Sequence, residues 1–68
     1  MLKCETNTPQ MAGCILSAAA KRFPCAGPYD VIFEHGQWWL ICGRIGICYS
    51  VNDAEGGDSV DGFDFEEV

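Results

Sequence analysis

The sequence predicts an α+β fold, with one N-terminal helix packed on a three-stranded antiparallel sheet and an acidic segment at the C-terminal end. Three observations predict it: a helical spacing of small apolar residues after Thr8-Pro9, three runs of β-branched and aromatic residues after Pro28, and the crowding of carboxylates beyond Asn52. In domain terms, residues 1–52 read as a compact body and residues 53–68 as an acidic segment of the same domain.

The helix is predicted from about Pro9 to Phe23. Thr8 supplies a hydroxyl that can cap free amides, and Pro9 has a fixed φ that suits the first helical position. Met11, Cys14, Ile15, Ala18 and Ala19 recur at i, i+3, i+4, i+7 and i+8, which gathers them on one face. Lys21 and Arg22 fall in the last turn, where positive charge offsets the helix dipole, and Pro24 ends the run. The small side chains of this face allow close approach to a sheet.

The strands are YDVIFE (29–34), QWWLIC (37–42) and ICYSV (47–51). His35-Gly36 leaves a two-residue hairpin loop between the first two, which sets Phe33 against Trp38, Ile32 against Trp39 and Val31 against Leu40. The second connection, 43–46, permits two registers, and the hydrophobic pattern must choose. If Leu40 faces Tyr49, then Val31, Phe33, Trp38, Leu40, Cys42, Ile47, Tyr49 and Val51 share the face that meets the helix. The opposite face then shows Asp30, Ile32, Glu34, Gln37, Trp39, Ile41, Cys48 and Ser50. Phe63 and Phe65, with one residue between them, point the same way in an extended segment and are expected to pin the acidic segment to the body, where they would cover that second face. Met1–Glu5 is a candidate extra edge strand.

At 68 residues the chain has room for a single small core, so its stability margin is a few kcal/mol and a partner or a second copy would add to it. Five cysteines, an odd number, and an opening MLKCETNTPQ without an apolar stretch of roughly 7–15 residues point to cytosolic thiols rather than secreted disulfides. The register above puts Cys42 and Cys48 on opposite faces, which forbids a bond between them. No apolar run approaches the roughly 20 residues of a membrane span, so a soluble cytoplasmic protein without membrane contact is expected.

Catalytic and metal chemistry find little footing. Successive cysteines are 10, 11, 17 and 6 positions apart, which does not fit the closely spaced pairs of structural zinc sites, and the lone His35 falls in a turn. Cys25, just after Lys21 and Arg22, is the best-placed thiol, but no local pattern supplies it with a base. Gly56-Gly57-Asp58-Ser59-Val60-Asp61 partly matches a calcium-binding repeat but occurs once, and the spacing of Asp53, Glu55, Asp58 and Asp61 misses the EF-hand pattern. The chain is therefore expected to be no enzyme, to need no cofactor and to hold no metal.

The charge distribution carries the functional reading. Asp53, Glu55, Asp58, Asp61, Asp64, Glu66 and Glu67 lie in the last sixteen residues with no basic residue among them, while Met1–Asn52 is close to neutral; the net charge of −6 is thus a local property. In an extended segment that is about one charge per 7–8 Å. DNA carries one per roughly 3.4 Å of axis on each strand, so the segment is about half as dense. Such a strip suits the basic nucleic-acid groove of another protein better than DNA itself. These seven carboxylates and Trp39 are the candidate partner-binding residues. A second reading makes Ile32, Trp39 and Ile41 the contact, in a protein-protein interaction module or a homodimer.

In size and acidity the chain resembles the small inhibitors that phages and mobile elements carry against bacterial defence, the anti-CRISPR proteins. Tyr49-Ser50-Val51-Asn52-Asp53-Ala54-Glu55 followed by Phe63-Asp64-Phe65-Glu66-Glu67 also looks like the ends of small proteins of bacterial genomic islands. The resemblance implies stoichiometric inhibition, with the acidic surface placed as a DNA mimic on the Lys and Arg residues with which a CRISPR surveillance complex grips DNA. It assigns no residue.

Overall fold

A computed structural model describes residues 7–53 and 62–68. Helix α1 (Pro9–Arg22) is followed by strands β1 (Tyr29–Glu34), β2 (Gln37–Cys42), β3 (Ile47–Asp53) and β4 (Phe63–Glu67). The strands form one antiparallel sheet in the order β1-β2-β3-β4, with the helix against one face. The α+β class is as expected. The sheet has a fourth strand, however, and it comes from the acidic C-terminal segment. The expected edge strand at Met1–Glu5 lies outside the described residues.

The helix starts as its sequence dictates, with the Thr8 hydroxyl accepting a hydrogen bond from the Met11 amide at 3.1 Å. It stops one residue earlier than expected, at Arg22. Phe23 is the C-cap, and its amide still donates to the Ala19 carbonyl. Met11, Ile15, Ala18 and Ala19 are buried against the sheet, with Cys14 at the margin.

Both hairpin registers follow the expected pairing. Phe33 faces Trp38, Ile32 faces Trp39 and Val31 faces Leu40. Leu40 in turn faces Tyr49. In the first loop His35 and Gly36 have φ of 57° and 71°, the positive values of a tight two-residue hairpin. At the other end of this hairpin the Gly43 amide donates to the Pro28 carbonyl at 2.8 Å, and a Cβ there would stand 3.1 Å from that oxygen. This close approach explains the glycine.

β4 is held by Phe63 and Phe65. Phe65 pairs with Val51 and Phe63 with Asp53, so both aromatic side chains fall on the helix-side face of the sheet. Phe63 is 2% exposed. Phe65 is half-buried and meets Phe23 edge-on, with ring centroids 5.7 Å apart, while Phe23 stacks on Tyr49 at 4.6 Å. The two phenylalanines do pin the segment to the body, but on the face opposite to the one the sequence suggested. Register is the cause. Residues opposite Val51 and Asp53 join the core those residues already face, so β4 does not cover the Trp39 side.

Candidate protein-binding face

The pairing lays out the outer face of the sheet in three rows. One row is Asp30, Ile41 and Cys48, the next Ile32, Trp39, Ser50 and Glu66, and the third Glu34, Gln37, Asn52 and Asp64. None of these residues is buried, and Ile32 is 37% exposed. The centre is apolar, formed by Ile32, Trp39 and Ile41. Carboxylates stand at both margins, Asp30 and Glu34 on β1 and Asp64 and Glu66 on β4, all exposed. No Lys, Arg or His occupies any of these positions; the described basic residues lie at the helix end (Lys21, Arg22) and in turns (His35, Arg44).

Strand geometry fixes the dimensions of this frame. Three interstrand spacings separate β1 from β4, roughly 14 Å at about 4.8 Å each. Asp30 and Glu34 are about 13 Å apart along β1, and Asp64 and Glu66 about 7 Å apart along β4, from the rise of about 3.3 Å per residue. The face thus presents two lines of negative charge separated by about the 12 Å width of a B-DNA major groove.

Local hydrogen bonds stiffen the polar surroundings. The Trp39 indole Nε1 donates to the Glu34 carbonyl at 3.2 Å, which orients the ring along the β1 margin. Gln37 Nε2 donates to the Val51 carbonyl at 2.6 Å and approaches Asn52 Oδ1 at 3.3 Å. The Ser50 hydroxyl donates to the Glu66 carbonyl at 3.4 Å and ties β3 to the acidic margin.

The candidate residues therefore divide. Trp39, Asp64 and Glu66 come together on the outer face. Glu67 faces Tyr49 and Asp53 faces Phe63, so both project from the helix side, Glu67 exposed and Asp53 half-buried. Glu55, Asp58 and Asp61 lie outside the described residues. A single acidic strip is thus not what β4 offers, because strand alternation sends neighbouring carboxylates to opposite faces. The sequence reading put Asp30 and Glu34 on this face but gave them no binding role. The available signal was their spacing of two on either side of Ile32.

Chemistry of other kinds has little geometric support among the described residues. No three His, Cys, Asp or Glu side chains come together in a way that could hold a metal ion. Cys42 is fully buried, and its partner Ile47 directs the adjacent Cys48 to the other face. Burial, then the proximity of Cys48, raises the Cys42 thiol above its ordinary 9.0. Among the described residues no helix is long and apolar enough to cross a membrane. Comparison of the chain with protein-family models, with curated proteins and with solved structures returns no match.

Proposed function

We propose that the chain is a non-enzymatic inhibitor of a bacterial defence complex, of the anti-CRISPR type. It acts in the bacterial cytoplasm by seating its outer sheet face in a basic cleft that otherwise grips DNA. The observation that carries this reading is the frame of Asp30, Glu34, Asp64 and Glu66 around an apolar centre, on a face without a cation among the described residues. Its two charged margins match the separation of phosphate lines across a major groove to within a few ångströms. A cleft shaped for DNA supplies Lys and Arg at that separation, and long-range attraction speeds the encounter.

The apolar centre gives the interaction module its own support, and the two ideas meet on one surface. A homodimer through this face would bring four carboxylates against four others, which disfavours it relative to a basic partner. A standard interface takes roughly 800 Å² from each partner. That is about a fifth of the 4322 Å² surface of this protein, so the footprint must include both margins as well as the centre.

The test is DNA capture by a panel of purified CRISPR surveillance complexes, with and without the protein, at low and high salt. Capture by a susceptible complex is expected to fall in proportion to added protein, with the effect shrinking as salt rises. The variant D30N/E34Q/D64N/E66Q should lose inhibition, while D53N/E67Q, altered on the other face, should keep it. Full inhibition by the first variant, or unimpeded DNA capture across the panel, would sink the proposal.

A further inference from the structure

Resting on that reading, we infer that the outer face selects arginine over lysine in its partner, with Trp39 as the stacking platform. The indole is half-buried and its only donor is already taken by the Glu34 carbonyl. What it offers a partner is therefore its π surface rather than a hydrogen bond. A carboxylate stands on either side of it in the sheet. Glu34 is diagonal to Trp39 across the β1–β2 pair, about 7–8 Å away at the backbone, and Glu66 lies in the same row two strands over, roughly 10 Å away. Both are exposed; Glu34 lies on the side toward which the indole points, and Glu66 closes the row on the opposite side.

This arrangement suits a guanidinium. The group is planar and weakly hydrated, so it can lie on an aromatic ring while its edge nitrogens pair with carboxylates in the same plane. An ammonium is compact and strongly hydrated, so it gains less from the ring than a guanidinium does. The neighbours of Trp39 in its row, Ile32 and Ser50, add an apolar wall and a hydroxyl already engaged with Glu66, neither of which competes for the cation. Charge complementarity thus sets the sign of the occupant, and the aromatic ring between the acidic margins sets its shape.

The experiment is calorimetric titration of the intact protein with two peptides of identical length, alternating glycine with either arginine or lysine, at low salt. The arginine peptide is expected to bind about tenfold more tightly, the ratio a desolvated cation–π contact supports. Trp39→Leu should bring arginine binding down to about the lysine level and weaken lysine binding far less, while Trp39→Phe, which keeps an aromatic face, should retain part of the preference. Equal binding of both peptides, or a preference that survives Trp39→Leu, would overturn the inference and leave the acidic-face reading standing. Failure of both peptides to bind at low salt would remove both.

Discussion

Trp38 and Trp39 are neighbours of the same chemical type with opposite fates, and they summarise the two faces of the sheet. Trp38 is 3% exposed, with Phe33 edge-on at 5.2 Å, in a layer completed by Leu40, Val51 and the helix residues Ile15 and Ala18. Trp39 looks out from a face that no helix covers, between Ile32 and Ser50. The difference follows from the two-residue period of a strand. One face carries nearly all of the apolar burial that holds the protein together, and the other is the face for which binding is proposed. Burial and exposure thereby fall to alternate residues of the same segments.

That division can be broken most severely at Phe63. Removing its ring by Phe63→Ala deletes a side chain that is 2% exposed and should cost about 3–5 kcal/mol in urea denaturation. A domain of this size has only a few kcal/mol to lose, so β4 and its carboxylates would go with it. Ile32→Ala, on the outer face, should change stability by less than about 1 kcal/mol. Comparable losses at the two positions would show that the outer face is also packed against something.

Alkaline titration sharpens the same contrast. Burial raises both the Cys42 thiol, ordinarily 9.0, and the Tyr49 phenol, ordinarily 10.0; nearby Cys48 adds to the first, while Cys42 and Glu67 add to the second against Arg22. In the unfolded chain each ionises at its ordinary value, whereas the folded protein keeps the proton. Stability is therefore whole below about pH 9 and declines as pH rises past 9 and then 10, through the raised folded values. Urea midpoints between neutral and strongly alkaline pH should show this, with Cys42→Ala removing the earlier decline and Tyr49→Phe the later one. A midpoint unchanged through this range would contradict the burial of both groups.

The smallest effect concerns the β1–β2 loop, which sits at the end of both faces. His35 holds φ of 57°, a conformation that costs a side chain up to about 1–2 kcal/mol and that Asn tolerates better. His35→Asn should raise stability by up to about 1 kcal/mol, a gain of roughly 4–8 °C in thermal midpoint, without altering binding at Trp39. A lower midpoint would mean that the His35 side chain has contacts of its own.

Much of this architecture was legible because the signals are local. Thr8-Pro9 announced the helix start, and the two-residue His35-Gly36 loop left one register for β1 and β2. The β2–β3 register needed the apolar pattern as well, since 43–46 alone allowed two pairings. β4 was missed because Asp53 and Phe63 pair across nine intervening residues, longer than the two to five of common hairpin loops, and because carboxylate density made FDFEE look like a solvated tail. The alternation of Phe63 and Phe65 was itself a strand signal. Reading it so would have divided Asp64 and Glu66 from Glu67 at once and placed them on the face that carries Asp30 and Glu34.

The carboxylates on β1 and β4 also govern how copies of the protein behave toward one another. These are the outer strands of the described sheet, and an outer strand can recruit a second chain through its free backbone groups. Two β1 strands meeting antiparallel about Ile32 would set Asp30 against Glu34, and two β4 strands meeting about Phe65 would set Asp64 against Glu66. Each approach would juxtapose like charges, so polymerisation through the sheet margins is opposed by the residues that define the outer face.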